Sequence, residues 1–106
     1  MPKYLITASY TTEGVKGLQS AGGSSRVEAV SAALANVGGS LESFHFAFGD
    51  ADAYVIAEVP DNQSAAAVAL AVNSSGGAVT KTTVLLTPEE VDAAAQQSVG
   101  YRARGS

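Results

Sequence analysis

Two alternating stretches in mid-chain, residues 40–48 (SLESFHFAF) and 53–59 (AYVIAEV), are separated by only Gly49-Asp50-Ala51-Asp52. A four-residue link of turn-forming types between two period-two runs specifies an antiparallel hairpin. Everything on either side must then be built around that hairpin. If Phe48 pairs with Ala53, the register places Phe44, Phe46, Phe48, Val55, Ala57 and Val59 on one side. Ser43, His45, Ala47, Tyr54, Ile56 and Glu58 fall on the other, because successive side chains point to opposite faces. The first side is apolar and is expected to meet helices. The second is mixed, with the chain's single histidine at its middle and Tyr54 and Glu58 as diagonal neighbours.

The flanking segments repeat one plan. Residues 3–10 (KYLITASY) alternate as a strand, with Tyr4, Ile6, Ala8 and Tyr10 on one face. Thr11 or Thr12 caps a short turn ending near Gly22-Gly23. Ser24 or Ser25 then caps a longer helix to Val37, where Val27, Val30, Leu34 and Val37 form a stripe and Gly38-Gly39 stops it. After the hairpin, Asp61 caps an alanine-rich helix to about Asn73, ended by Ser74-Ser75-Gly76-Gly77. Residues 78–87 read as a fourth strand, and Thr87-Pro88-Glu89-Glu90 opens a short helix to about Ser98. The order is β-α-β-β-α-β plus a C-terminal helix. Two β-α-β halves joined by a hairpin make a ferredoxin-like α+β sandwich, a four-stranded antiparallel sheet with both main helices on one face. Residues 1–98 are one domain on this reading, and residues 99–106 a flexible tail.

Composition sharpens this. Leu, Ile, Val and Phe together number 24 of 106 residues, against 20 alanines, so the core is thin. The sheet face away from the helices is nevertheless half apolar, and a monomer rarely leaves such a patch uncovered. A second copy, sheet on sheet about a two-fold axis, is the expected cover. Residues 1–100 hold four Lys and Arg against ten Asp and Glu, which disfavours nucleic acid and anionic membrane surfaces as partners. Cysteine is absent, which removes thiol chemistry. No leader or membrane-spanning stretch is read, and a cytoplasmic location is expected.

Several segments are similar to the GYD domain family. They are Pro2-Lys3-Tyr4, Thr-Thr-Glu-Gly-Val at residues 11–15, Gly38-Gly39, Phe48-Gly49, Val55-Ile56-Ala57-Glu58-Val59-Pro60-Asp61 and Thr87-Pro88-Glu89-Glu90. The Gly-Tyr-Asp motif that names the family reads here as Gly49-Asp50-Ala51-Asp52, with Ala51 in the tyrosine's place. The resemblance implies a small ferredoxin-like chain with a dimeric α/β-barrel type of assembly. It implies no reaction.

His45, Tyr54 and Glu58 are the expected polar contacts to a small, largely apolar ligand beside the open face. A histidine offers a donor and an acceptor near neutral pH, and a carboxylate facing a covered cavity needs a partner. The rival reading is a cofactor-independent enzyme of monooxygenase or tautomerase type. It would use His45 as acid/base or, after removal of Met1, the Pro2 amine as base. A third is a metal-binding protein using His45. The spacing of a metal site is missing, so no metal is assigned. Asp50 and Asp52 flank a turn and read as its backbone anchors. The glycine pairs do not join a strand to a helix in phosphate-loop spacing, so no cofactor is expected.

Overall fold

The computed structural model describes residues 1–105. In chain order the elements are β1 (Lys3–Tyr10), α1 (Thr12–Ala21), α2 (Gly23–Asn36), β2 (Ser40–Phe46), β3 (Ala53–Glu58), α3 (Asn62–Ser74), β4 (Ala78–Leu85) and α4 (Pro88–Ala95). The strands form one antiparallel sheet in the order β2-β3-β1-β4, the ferredoxin-like arrangement. Tyr4, Leu34, Ala57, Val59, Ala65 and Val68 make the buried core, with Ile6, Val30, Val37, Leu41 and Val72 packed against it. The expected stripe of α2 and the apolar face of β1 therefore meet as the periodicity requires. Tyr4 is 1% exposed, and its hydroxyl donates to Asn62 Oδ1 at 2.7 Å, so the largest core residue carries its polar atom to a partner at the start of α3.

Two helices stand where the sequence suggests a short turn and one helix. Thr11 caps α1, its Oγ1 accepting from the Gly14 N–H. Gly22, at φ 87°, ends α1 and opens α2 in place of Ser24 or Ser25. A backbone in that region favours glycine, and it lets α2 turn onto the sheet. Gly14 is required for a different reason: a Cβ there would lie 1.9 Å from the Gly77 carbonyl oxygen. That carbonyl accepts from the Thr11 N–H at 3.1 Å, and Thr11 Oγ1 donates to the neighbouring Gly76 carbonyl. The start of α1 is thus sewn to the start of β4.

The hairpin forms with its faces as expected and its register moved. Ser43, Phe44, His45 and Phe46 pair with Ile56, Val55, Tyr54 and Ala53, so the four-residue link is 48–51 rather than 49–52. Asp52 is the cause. Its carbonyl accepts from the Ala47 N–H and its N–H donates to the Ala8 carbonyl, both at 2.8 Å, which enrols it as strand backbone. Phe48 is expelled into the link and fully exposed. A bulge between Leu41 and Ser43 turns Leu41 onto the helix side against the core. Glu42 is then free to meet Lys3.

β4 ends at Leu85 and α4 at Ala95, each shorter than expected. α4 has the capping box read from Thr87 and Glu90, yet every residue of it is exposed. Residues 97–103 carry no regular secondary structure, and Ser106, the last residue of the expected tail, lies outside the described residues.

Candidate functional site

All helix packing is on one side of the sheet, so the other side is described by cross-strand rows. Ser43, Ile56, Leu5 and Thr83 form one row across β2-β3-β1-β4; His45, Tyr54, Thr7 and Lys81 form the next. Beyond the first, Ser40, Glu58, Lys3 and Leu85 complete the face toward one end. Leu5 and Ile56 hold its centre, each half-buried by its strand neighbours. Tyr54 at 39% and Val79 at 60% exposure add to it.

The moved register separates the expected ligand trio. His45 is exposed and directly opposite Tyr54, whereas Glu58 lies four residues further along β3, beside Ser40 and Lys3. The three are not brought together as one cluster. Lys3, whose ammonium is hydrogen-bonded to the Glu42 carboxylate, is held more basic than usual by that bond and charge, with Glu58 adding a smaller push. Among the described residues no three His, Cys, Asp or Glu side chains converge as a metal would need. Pro2 is exposed, and its carbonyl accepts from the Val59 N–H.

The turn residues have distinct fates. Gly49 and Asp50 are exposed, and Ala51 is buried at the edge of a cleft of about 180 Å³ that also takes in Thr7, Tyr54 and Lys81 on the open side. Asp52 Oδ2 accepts from the Tyr10 N–H at 2.8 Å. Together with its two backbone bonds, this fastens the hairpin link to the end of β1.

A second constellation lies on the helix side, and the sequence reading does not anticipate it. There the row across the sheet is Phe46, Ala53, Ala8 and Thr80; the two inner strands contribute only methyl groups, which leaves space under the helices. A partly open cavity of about 60 Å³ lies beside Ala8 and Ala78, bounded also by Val30, Val68 and Val72. Tyr10, Arg26 and Thr80 are also among its lining residues. Thr80 Oγ1 is buried with no hydrogen-bond partner. Tyr10 also lines an adjoining surface groove of about 370 Å³, bounded by Val15, Leu18, Phe46, Phe48 and Asp52. Burial raises the Tyr10 hydroxyl above its ordinary value; the Arg26 charge opposes this and Asp52 reinforces it. The phenol therefore keeps its proton near neutral pH and can donate a hydrogen bond. Arg26 was legible in principle, since it sits one turn before Val30 on the same stripe of α2. Thr80 was not, because the two faces of β4 look alike in sequence.

The family model of the GYD domain matches residues 4–95, from β1 through α4. The chain belongs to the GYD domain family. No curated protein and no solved structure gives a significant match to it. Within this GYD domain, the link between β2 and β3 is tied to β1 through Asp52. Ala51 lines the cleft together with Tyr54. No helix among the described residues is long and apolar enough to cross a membrane.

Proposed function

We propose that this GYD domain is a homo-oligomeric binding or assembly module, two copies meeting through their open sheet faces. His45 and Tyr54, which face each other across β2 and β3, are its polar contacts to a small ligand at the border of that interface, and Glu58 lies further along β3 beside Lys3. One observation carries the reading: α2 and α3 lie on a single face of the sheet, while Leu5 and Ile56 occupy the centre of the other. Four strands of up to eight residues span about 26 by 19 Å. That is about 500 Å² in projection for the whole face, with Leu5 and Ile56 as its apolar centre. A second identical face suits it, because the apolar centre is flanked by both signs of charge. Lys81 lies on one side of the centre and Glu58, with Lys3 beside it, on the other, so a two-fold axis that lays Lys81 over the second copy's Glu58 pairs unlike charges. The reading calls for no export or membrane segment, and a cytoplasmic location is part of the proposal.

Native mass spectrometry with sedimentation equilibrium tests this. The expected species has twice the 10.6 kDa chain mass, and Ile56→Lys gives a folded monomer. A wild-type chain that stays single at high micromolar concentration overturns the reading. His45→Ala is expected to keep the dimer while losing any co-purified small molecule.

A further inference from the structure

The cavity and groove on the helix side lie across the sheet from the proposed interface, so a ligand held there does not depend on whether the chain is single or paired. We propose that they form a binding site for a monocarboxylic acid with an apolar body, its carboxylate directed inward to Arg26, Tyr10 and Thr80 and its chain lying in the groove beside Phe46 and Phe48.

Charge is the first ground. The chain has six Lys and Arg. Lys3 and Lys81 lie on the open face, Lys16 is exposed on α1, and Arg102 and Arg104 follow α4. Of these, Arg26 alone lines the cavity under the helices, and among the described residues no carboxylate lies within ion-pair distance of it. A half-buried guanidinium facing apolar walls is stabilised by an anion that can accept its N–H groups. The second ground is Thr80 Oγ1, buried without a partner, an arrangement that costs stability unless something supplies the missing bond. A carboxylate accepts from a guanidinium and two hydroxyls at once, which makes it the simplest group that satisfies all three.

Shape gives the rest of the ligand. The cavity of about 60 Å³ has room for a small polar head. The groove of about 370 Å³ is in the range that holds a small molecule. Tyr10 lines both and packs near Phe46, with ring centroids 6.5 Å apart, while Phe46 meets Phe44 at 5.0 Å. These rings make an aromatic wall along which an alkyl or aryl body can lie. Asp52 stands in the groove wall with its carboxylate already taken by the Tyr10 N–H. A second acid on the ligand would meet that charge, so dicarboxylates are disfavoured.

Octanoate, octanol and octanedioate are the probes, added to the full chain and followed by NMR of the valine and threonine methyls and backbone amides. Octanoate is expected to shift Val68, Val72 and Thr80 with saturation. Octanol and octanedioate should each bind about tenfold more weakly or worse. Arg26→Gln should weaken octanoate by about tenfold and Thr80→Val by about fivefold, with far-UV dichroism as for the wild type. If Arg26→Gln does not fold, the comparison of three probes on the wild-type chain decides alone. Equal binding of octanol, undiminished binding of octanedioate, shifts centred on His45, Tyr54 and Ile56, or no saturable shift overturns the proposal. Because oligomeric mass is read separately, failure here leaves the open-face reading standing, and the converse holds.

Discussion

Tyr4 and Asp52 show how single polar groups hold a core made thin by alanine. The Tyr4 ring fills the centre, and its hydroxyl reaches Asn62. Tyr4→Phe keeps the ring and loses the bond, so urea denaturation should show a loss of about 1 kcal/mol. Asp52→Ala should cost about 1–3 kcal/mol, since the Tyr10 N–H is left without its acceptor. Asp61 acts through pH. The Ser64 backbone N–H donates to it at 2.8 Å, and this, with a side-chain contribution from Ser64, holds its carboxyl below the usual range. Its stabilisation is complete above the unfolded-state value and disappears as pH falls through the lowered folded-state one. Asn keeps the cap but has no charge. Melting curves should therefore separate wild type from Asp61→Asn at about pH 7 and bring them together near about pH 2.

Helix α1 offers a paired test of how elements meet. A Cβ at Gly17 would meet nothing within 4 Å, and replacement by alanine should raise stability by about 0.5–1 kcal/mol, because glycine is a poor helix former. Gly14→Ala must push the Gly77 carbonyl away and break the Thr11 N–H bond that depends on it. A cost of about 3 kcal/mol or more is expected from the clash and the lost bond together. Chemical denaturation of the two variants gives opposite signs if α1 sits as described. The elements are readable where capping and alternation act locally: Thr87 and Glu90 mark α4, Asp61 marks α3, and alternation separates the two faces of β3. The register was not readable, because it turns on Asp52 bonding to β1, a contact 42 residues away in sequence. The bulge that carries Leu41 inward leaves no mark in an alternating pattern for the same reason: it follows from core packing, not from local preference. With the register moved, Glu58 parts from His45, and the open-face ligand trio becomes two neighbours and an outlier. On the helix side, Arg26 could be placed on its stripe, but a cavity is made by what neighbouring strands lack, here the side chains that Ala8 and Ala53 do not have.

The whole molecule is less compact than its length suggests. Its radius of gyration is 17.0 Å and its extents are 58 × 31 × 22 Å, whereas a compact chain of this length has a radius of about 13 Å. The accessible surface of 7218 Å² compares with about 5,500 Å² for a compact monomer of this mass. α4 and the residues after it account for the difference in shape, since none of those described is buried. Removing residues 88–106 should leave the melting temperature of the remaining chain unchanged, as measured by calorimetry; a marked fall would mean that α4 packs on the body. The projecting arm also governs how assembly must be measured. A protein of this outline tumbles and diffuses as a larger sphere would, so its elution volume on a sizing column would imitate that of a pair even for a lone chain.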